Sequence, residues 1–142
     1  MSAWLIYALL SAITAALVGI FGKLGLQHLD ANTATAIRAI IMALFLFLVV
    51  FLQGKLHLFS EVMSNHKALL WITLSGVAGA LSWLFYFLAI EHGKVSQVVS
   101  IDKLSVVFAV VLAVILLGEK LSWLASLGVV MITAGALLVA LG

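Results

Sequence analysis

The chain has 142 residues, of which 66% are hydrophobic and 8% charged, with a formal net charge of +2 and no cysteine or proline. A soluble domain carries about a quarter of its residues as charges, so this chain cannot coat a water-facing globule. The small, scattered charge argues against a nucleic-acid partner, and the lack of cysteine excludes a disulfide framework or thiolate metal site.

Five apolar runs occupy residues 4–22, 33–52, 68–90, 97–117 and 123–141. Each is close to the ~20 residues that cross a ~30 Å hydrocarbon core as a helix. Inside lipid a helix satisfies its own backbone polar groups. The predicted fold class is therefore all-α: a polytopic membrane protein with five transmembrane helices, its main partner the lipid bilayer.

The first run begins without a basic cluster or a small-residue cleavage site, so it reads as a retained span rather than a signal peptide. Ala8, Ser11, Ala12, Ala15, Gly19 and Gly22 recur along it at spacings of three or four, which favours close helix approach in lipid. Asn32 and Thr33 are positioned to cap the second helix. Arg38 lies six residues past Asn32, inside the span, and the remainder, "ALFLFLVVFL", is bare hydrocarbon. The following connection mixes charges with Leu56, Leu58, Phe59, Val62 and Met63. It reads either as a brief interfacial helix or as a plain loop.

Ser64 or Asn65 is expected to cap the third helix. Along that helix Gly76, Gly79, Trp83 and Tyr86 form one stripe, and Ser75, Gly79, Ser82 and Tyr86 an overlapping one. The two rings read equally as cavity lining or as part of an interfacial aromatic belt, to which Trp4, Tyr7 and Trp123 also belong by position. Gly93 and Gly118 stand where helix C-termini favour a left-handed residue.

The fourth run holds an acid and a base, Asp102 and Lys103, near its start. A helix beginning only at Leu104 would rise ~21 Å, too short to span. A start after a Ser96 cap gives ~31 Å and puts Asp102 about 9 Å along the helix, the same depth as Arg38 in the second. Opposite charges at equal depth on neighbouring spans are expected to pair. Arg38 and Lys103 are also long enough to snorkel to the headgroups; Asp102 is not. Lys103 points about 100° away around a continuous helix, so it is not the expected partner of Asp102. With no proline, any bend is expected at glycine. The fifth helix opens at a Ser122 cap and carries Gly128 and Gly135 for helix packing.

Lysines outside the spans are balanced between the two faces, so the positive-inside rule selects no orientation. His28, His57, His66 and His92 show no ligand spacing. No nucleophile–base set or phosphate loop is present, so neither a metal, a cofactor nor an enzyme activity is expected.

The segment "SQVVSIDKLSVVFAVVLAVILLGEKLSWLASLGVVMITAGALLV" resembles the C-terminal helices of the EamA-like domain of the drug/metabolite transporter superfamily. "TAIRAI", "SGVAGALSWLFYFLAIEHGKVSQV" and "IDKLSVV" resemble its short, single-domain bacterial branch, so that residues 1–142 form one such domain. One departure is Ser100, where such proteins often carry proline. The resemblance implies one half of an inverted-repeat, ten-helix transporter fold, completed by an antiparallel homodimer in the cell membrane. The implied activity is secondary transport or export of a small metabolite or amphipathic cation by alternating access. Arg38, Asp102, Lys103, Ser82, Trp83 and Tyr86 would form the pathway, with Asp102 the candidate proton carrier, and Gly19, Gly22, Gly76 and Gly79 would let helices slide. The alternative is an accessory membrane subunit that transports nothing alone.

Overall fold

The computed structural model describes residues 3–142. Seven helices follow in chain order: α1 (Ala3–Gly25), α2 (Ala31–Leu52), α3 (Leu58–Ser64), α4 (His66–His92), α5 (Val95–Asp102), α6 (Leu104–Leu117) and α7 (Trp123–Leu141). Five stretches are long and apolar enough to cross a membrane: α1, α2, α4, α5 with α6, and α7. The chain is an all-α, multi-pass membrane protein. Its side chains agree: Leu46, Phe85, Phe108 and Leu138 are 61%, 64%, 66% and 73% exposed. Apolar surface on that scale is stable against hydrocarbon and not against water.

The local chemistry of the helix ends departs from the expected caps in two places. Asp30, not Asn32 or Thr33, caps α2, accepting from the Thr33 amide and from its hydroxyl, each at 2.7 Å. The shift follows from donor geometry: a cap must precede the amides it satisfies, and Asp30 stands three residues before Thr33. Lys94, without a side-chain cap bond, precedes α5, and Ser96 lies inside the helix. Asn65 and Ser122 cap as expected, bonding the amides of Ala68 at 3.0 Å and Ala125 at 3.1 Å.

At the C-termini Gly118 is left-handed, with φ 68°. Gly93 is not among the left-handed glycines; that role falls to Gly54, also at φ 68°. The Gly54 amide bonds Phe51 O and the Lys55 amide bonds Val50 O, the paired closure that ends α2. The stretch after it forms α3, a single short helix whose Phe59 meets Phe47 of α2 edge-to-face at 6.2 Å.

The chain divides into two compact units, one of residues up to Leu24 with His92–Gly142, the other Gly25–Glu91. In the first, α5 and α6 both pack along α7. Gln97 near the start of α5 donates to Ala140 O near the end of α7 at 3.0 Å, so the two run antiparallel. Lys23 of α1 donates to Gly93 O at 3.2 Å. The second unit holds α2, α3 and most of α4, and Phe87 and Ile90 of α4 are buried.

The fourth span is not one continuous helix. It breaks at Lys103, between α5 and α6. The amide of Lys103 bonds Ser100 O and that of Val106 bonds Lys103 O, three-residue steps that tighten the turn. Neither glycine nor proline marks this break. Ser100 Oγ donates to Ser96 O at 2.7 Å, a back-bond of the kind that bends helices. The 14 residues of α6 are too few to span, as expected, and the eight of α5 supply the rest.

Candidate functional site

Within the second unit, α2 and α4 bring Arg38 against three rings. Trp83, Tyr86 and Phe87 lie three and four residues apart, hence on one face of α4. Trp83 meets Tyr86 edge-on at 5.4 Å and stacks on Phe87 at 5.8 Å, and Tyr86 meets Phe87 edge-on at 5.6 Å. The guanidinium carbon of Arg38 lies 3.8 Å from the centroid of Trp83 and 4.8 Å from that of Phe87. Its Nη2 donates to the thioether of Met42 at 3.5 Å. Its Nη1 is buried and has no hydrogen-bond partner among the described residues.

These contacts compensate the charge only in part. A desolvated cation–π contact is worth about 2 kcal/mol. Ring faces and thioethers are poor acceptors, however, and a buried donor left unpaired costs about 1–3 kcal/mol, more when it is charged. Arg38 is therefore held against the rings by its charge while its Nη1 lacks an acceptor.

The aromatic half of this site was legible as the Trp83–Tyr86 stripe. Phe87 and Met42 were not expected in it, because an apolar residue in a lipid-spanning run carries no chemical mark. The available signal was spacing: Phe87 is four residues past Trp83, and Met42 four past Arg38. Ser82 is exposed, about 100° around α4 from Trp83, off the ring face.

In the other unit Asp102 closes α5 and Lys103 forms the break. Lys103 Nζ lies 3.7 Å from Asp102 Oδ2, with both side chains well exposed at 53% and 39%. The two were not expected to be each other's best partner; the tightened turn and the long lysine stem nevertheless bring them within reach. The pair is loose, and an exposed ion pair is worth at most about 1 kcal/mol. The expected Arg38–Asp102 pair would join residues of different units. Within its own unit each has the neighbours just described.

Among the packing glycines, Gly19 is buried and Gly22 partly so. A methyl group added at Gly76, Gly79, Gly128 or Gly135 would meet no atom within 4 Å. A groove of about 590 Å³ also opens between α6 and α7, lined by Val106, Ala109, Ala113 and Ala125 among others. Its lining is mostly apolar but includes Glu119, Lys120 and Ser122.

An arginine held by aromatic rings inside an apolar span defines a multi-pass membrane protein with a polar group in its spanning region. The comparisons narrow this class. The model of the EamA-like transporter family matches residues 2–141, and the chain belongs to that family. It is also 39% identical over 137 residues, 96% of each chain, to a protein named "Uncharacterized transporter in cobO 3'region" from Sinorhizobium sp.. No solved structure matches it. The chain is thus a membrane transporter by family, and the family points to transport rather than catalysis.

Proposed function

We propose that the chain is a secondary transporter or exporter of a small metabolite in the inner cell membrane, working by alternating access as an antiparallel homodimer. The observation that carries this reading is Arg38: a guanidinium within a membrane-spanning helix marks a solute or ion pathway more often than a structural detail. Inverted repeats with a site near the midplane are a common transporter design, and two oppositely inserted copies of a five-span unit would reproduce it.

In this reading Arg38 and Asp102 exchange partners during the cycle. Asp102 meets Lys103 in one state and Arg38 in another, and Lys103 adjusts the charge of the pathway. Trp83 and Tyr86 line the route. An amphipathic cation is a poorer substrate than a neutral or acidic metabolite, because Arg38 already covers the face of Trp83 that would receive it. The test is transport by the purified chain alone in proteoliposomes. Solute accumulation that Arg38→Gln abolishes is the expected result. No transport of any tested metabolite class by the single chain would instead favour the accessory-subunit reading. That second reading has its own support, since the open space beside Gly76, Gly79, Gly128 and Gly135 suits close approach by another polypeptide.

A further inference from the structure

We infer that Arg38 is the docking point for a carboxylate on the transported solute, with Trp83 and Phe87 packed against the guanidinium. This rests on the transporter reading above and names its substrate class: a small acid with an apolar body.

Three observations lead here. The first is the state of the guanidinium's donors. Nη1 is buried and has no hydrogen-bond partner among the described residues, and Nη2 has only a thioether at 3.5 Å. Nη1 thus lacks an acceptor and Nη2 has only a weak one. The planar fork of arginine matches a carboxylate with two parallel bonds, and such charge-assisted bonds are about twice as strong as neutral ones. A carboxylate oxygen would readily replace the sulfur.

The second is the direction of the charge. With Arg38 3.8 Å from the Trp83 centroid, the site presents a cation to its ligand rather than an open ring face. A cationic ligand would meet like charge at low dielectric, and an anionic one the opposite.

The third is the setting. An arginine serving as a headgroup anchor extends its polar end toward water or lipid phosphate. Here the polar end is turned onto Trp83 and Phe87, with Nη1 buried and Phe87 only 4% exposed. The surroundings suit the apolar part of a ligand whose acid group reaches Arg38.

The test uses the full chain with Trp4, Trp71 and Trp123 changed to Phe, so that Trp83 is the sole indole reporter. The purified protein, in detergent and in nanodiscs of neutral lipid, is titrated with sodium benzoate, benzamide and benzyltrimethylammonium, which share one ring and differ in charge. Benzoate alone is expected to change Trp83 emission saturably and to raise the unfolding temperature. Arg38→Gln should weaken its apparent Kd about tenfold or more, the loss expected for charged hydrogen bonds. Arg38→Lys keeps the charge without the fork and carries the comparison if the glutamine variant does not fold. Its affinity should fall between the two.

Equal responses to benzamide or to the cation would overturn the assignment, as would no saturable response to benzoate. So would a response produced by anionic phospholipid and then insensitive to benzoate, since the occupant would then be a lipid headgroup only. Benzoate binding by a chain that moves no solute in liposomes would remove the transporter reading and leave this site standing. Transport of a solute by a chain that ignores benzoate would do the reverse.

Discussion

At Asp30 the hydroxyl and the amide of Thr33 both donate to one carboxylate, which holds its carboxyl below the usual carboxylate range. The folded state therefore binds this proton less readily than the unfolded state does. The resulting stabilisation is present above the unfolded carboxyl pKa and is lost as pH falls through the lower, folded value. Asp30→Ala should lower the unfolding temperature at neutral pH, and the gap to the parent should close as the solution is made strongly acidic. A pH series of melts in detergent checks both. Single residues were unevenly legible in the sequence. Arg38 and Asp102 stand out because charge is conspicuous in an apolar run. Their immediate neighbours were not legible, since Met42 and Phe87 look like any lipid-facing residue until a second helix is laid beside them. On a regular helix Lys103 would point away from Asp102, but the backbone tightens there.

Among the elements, α7 begins and ends where the apolar run does, at 123 and 141, because Ser122 supplies an unambiguous cap. α1, α2 and α4 each extend up to three residues past their apolar runs, since helices continue into polar flanks until a cap or a left-handed residue stops them. The split between α5 and α6 was hidden, because neither glycine nor proline marks it. Its sequence trace is the serine pair Ser96 and Ser100, four apart, just ahead of two charges. The short α5 gains its anchorage from Gln97, whose amide satisfies the carbonyl of Ala140 at the otherwise unbonded end of α7. Gln97→Leu should destabilise the protein by about 1 kcal/mol, the net worth of one such bond. Gln97→Glu should cost more, because a carboxylate would face the negative end of α7. Denaturant titration in mild detergent, followed by circular dichroism, measures both.

At the level of the whole molecule, the span count and the all-α class follow from hydropathy and length alone, because lipid leaves the backbone few alternatives. The division into two contact units did not follow, since it depends on which faces meet and not on how apolar each run is. The proposed second copy can be tested where one chain has room to spare. The space beside Gly128 and Gly135 on α7 would accept a methyl group without touching anything in the same polypeptide. A helical Gly→Ala change in open space normally stabilises by about 0.4–1 kcal/mol. Gly128→Ala with Gly135→Ala should therefore leave the solitary chain as stable as before, or slightly more so, while weakening association measured by energy transfer between labelled copies in bilayers. A substitution harmless to its own polypeptide and damaging to a neighbour works as a spacer gauge, reading how near two backbones come without either being seen.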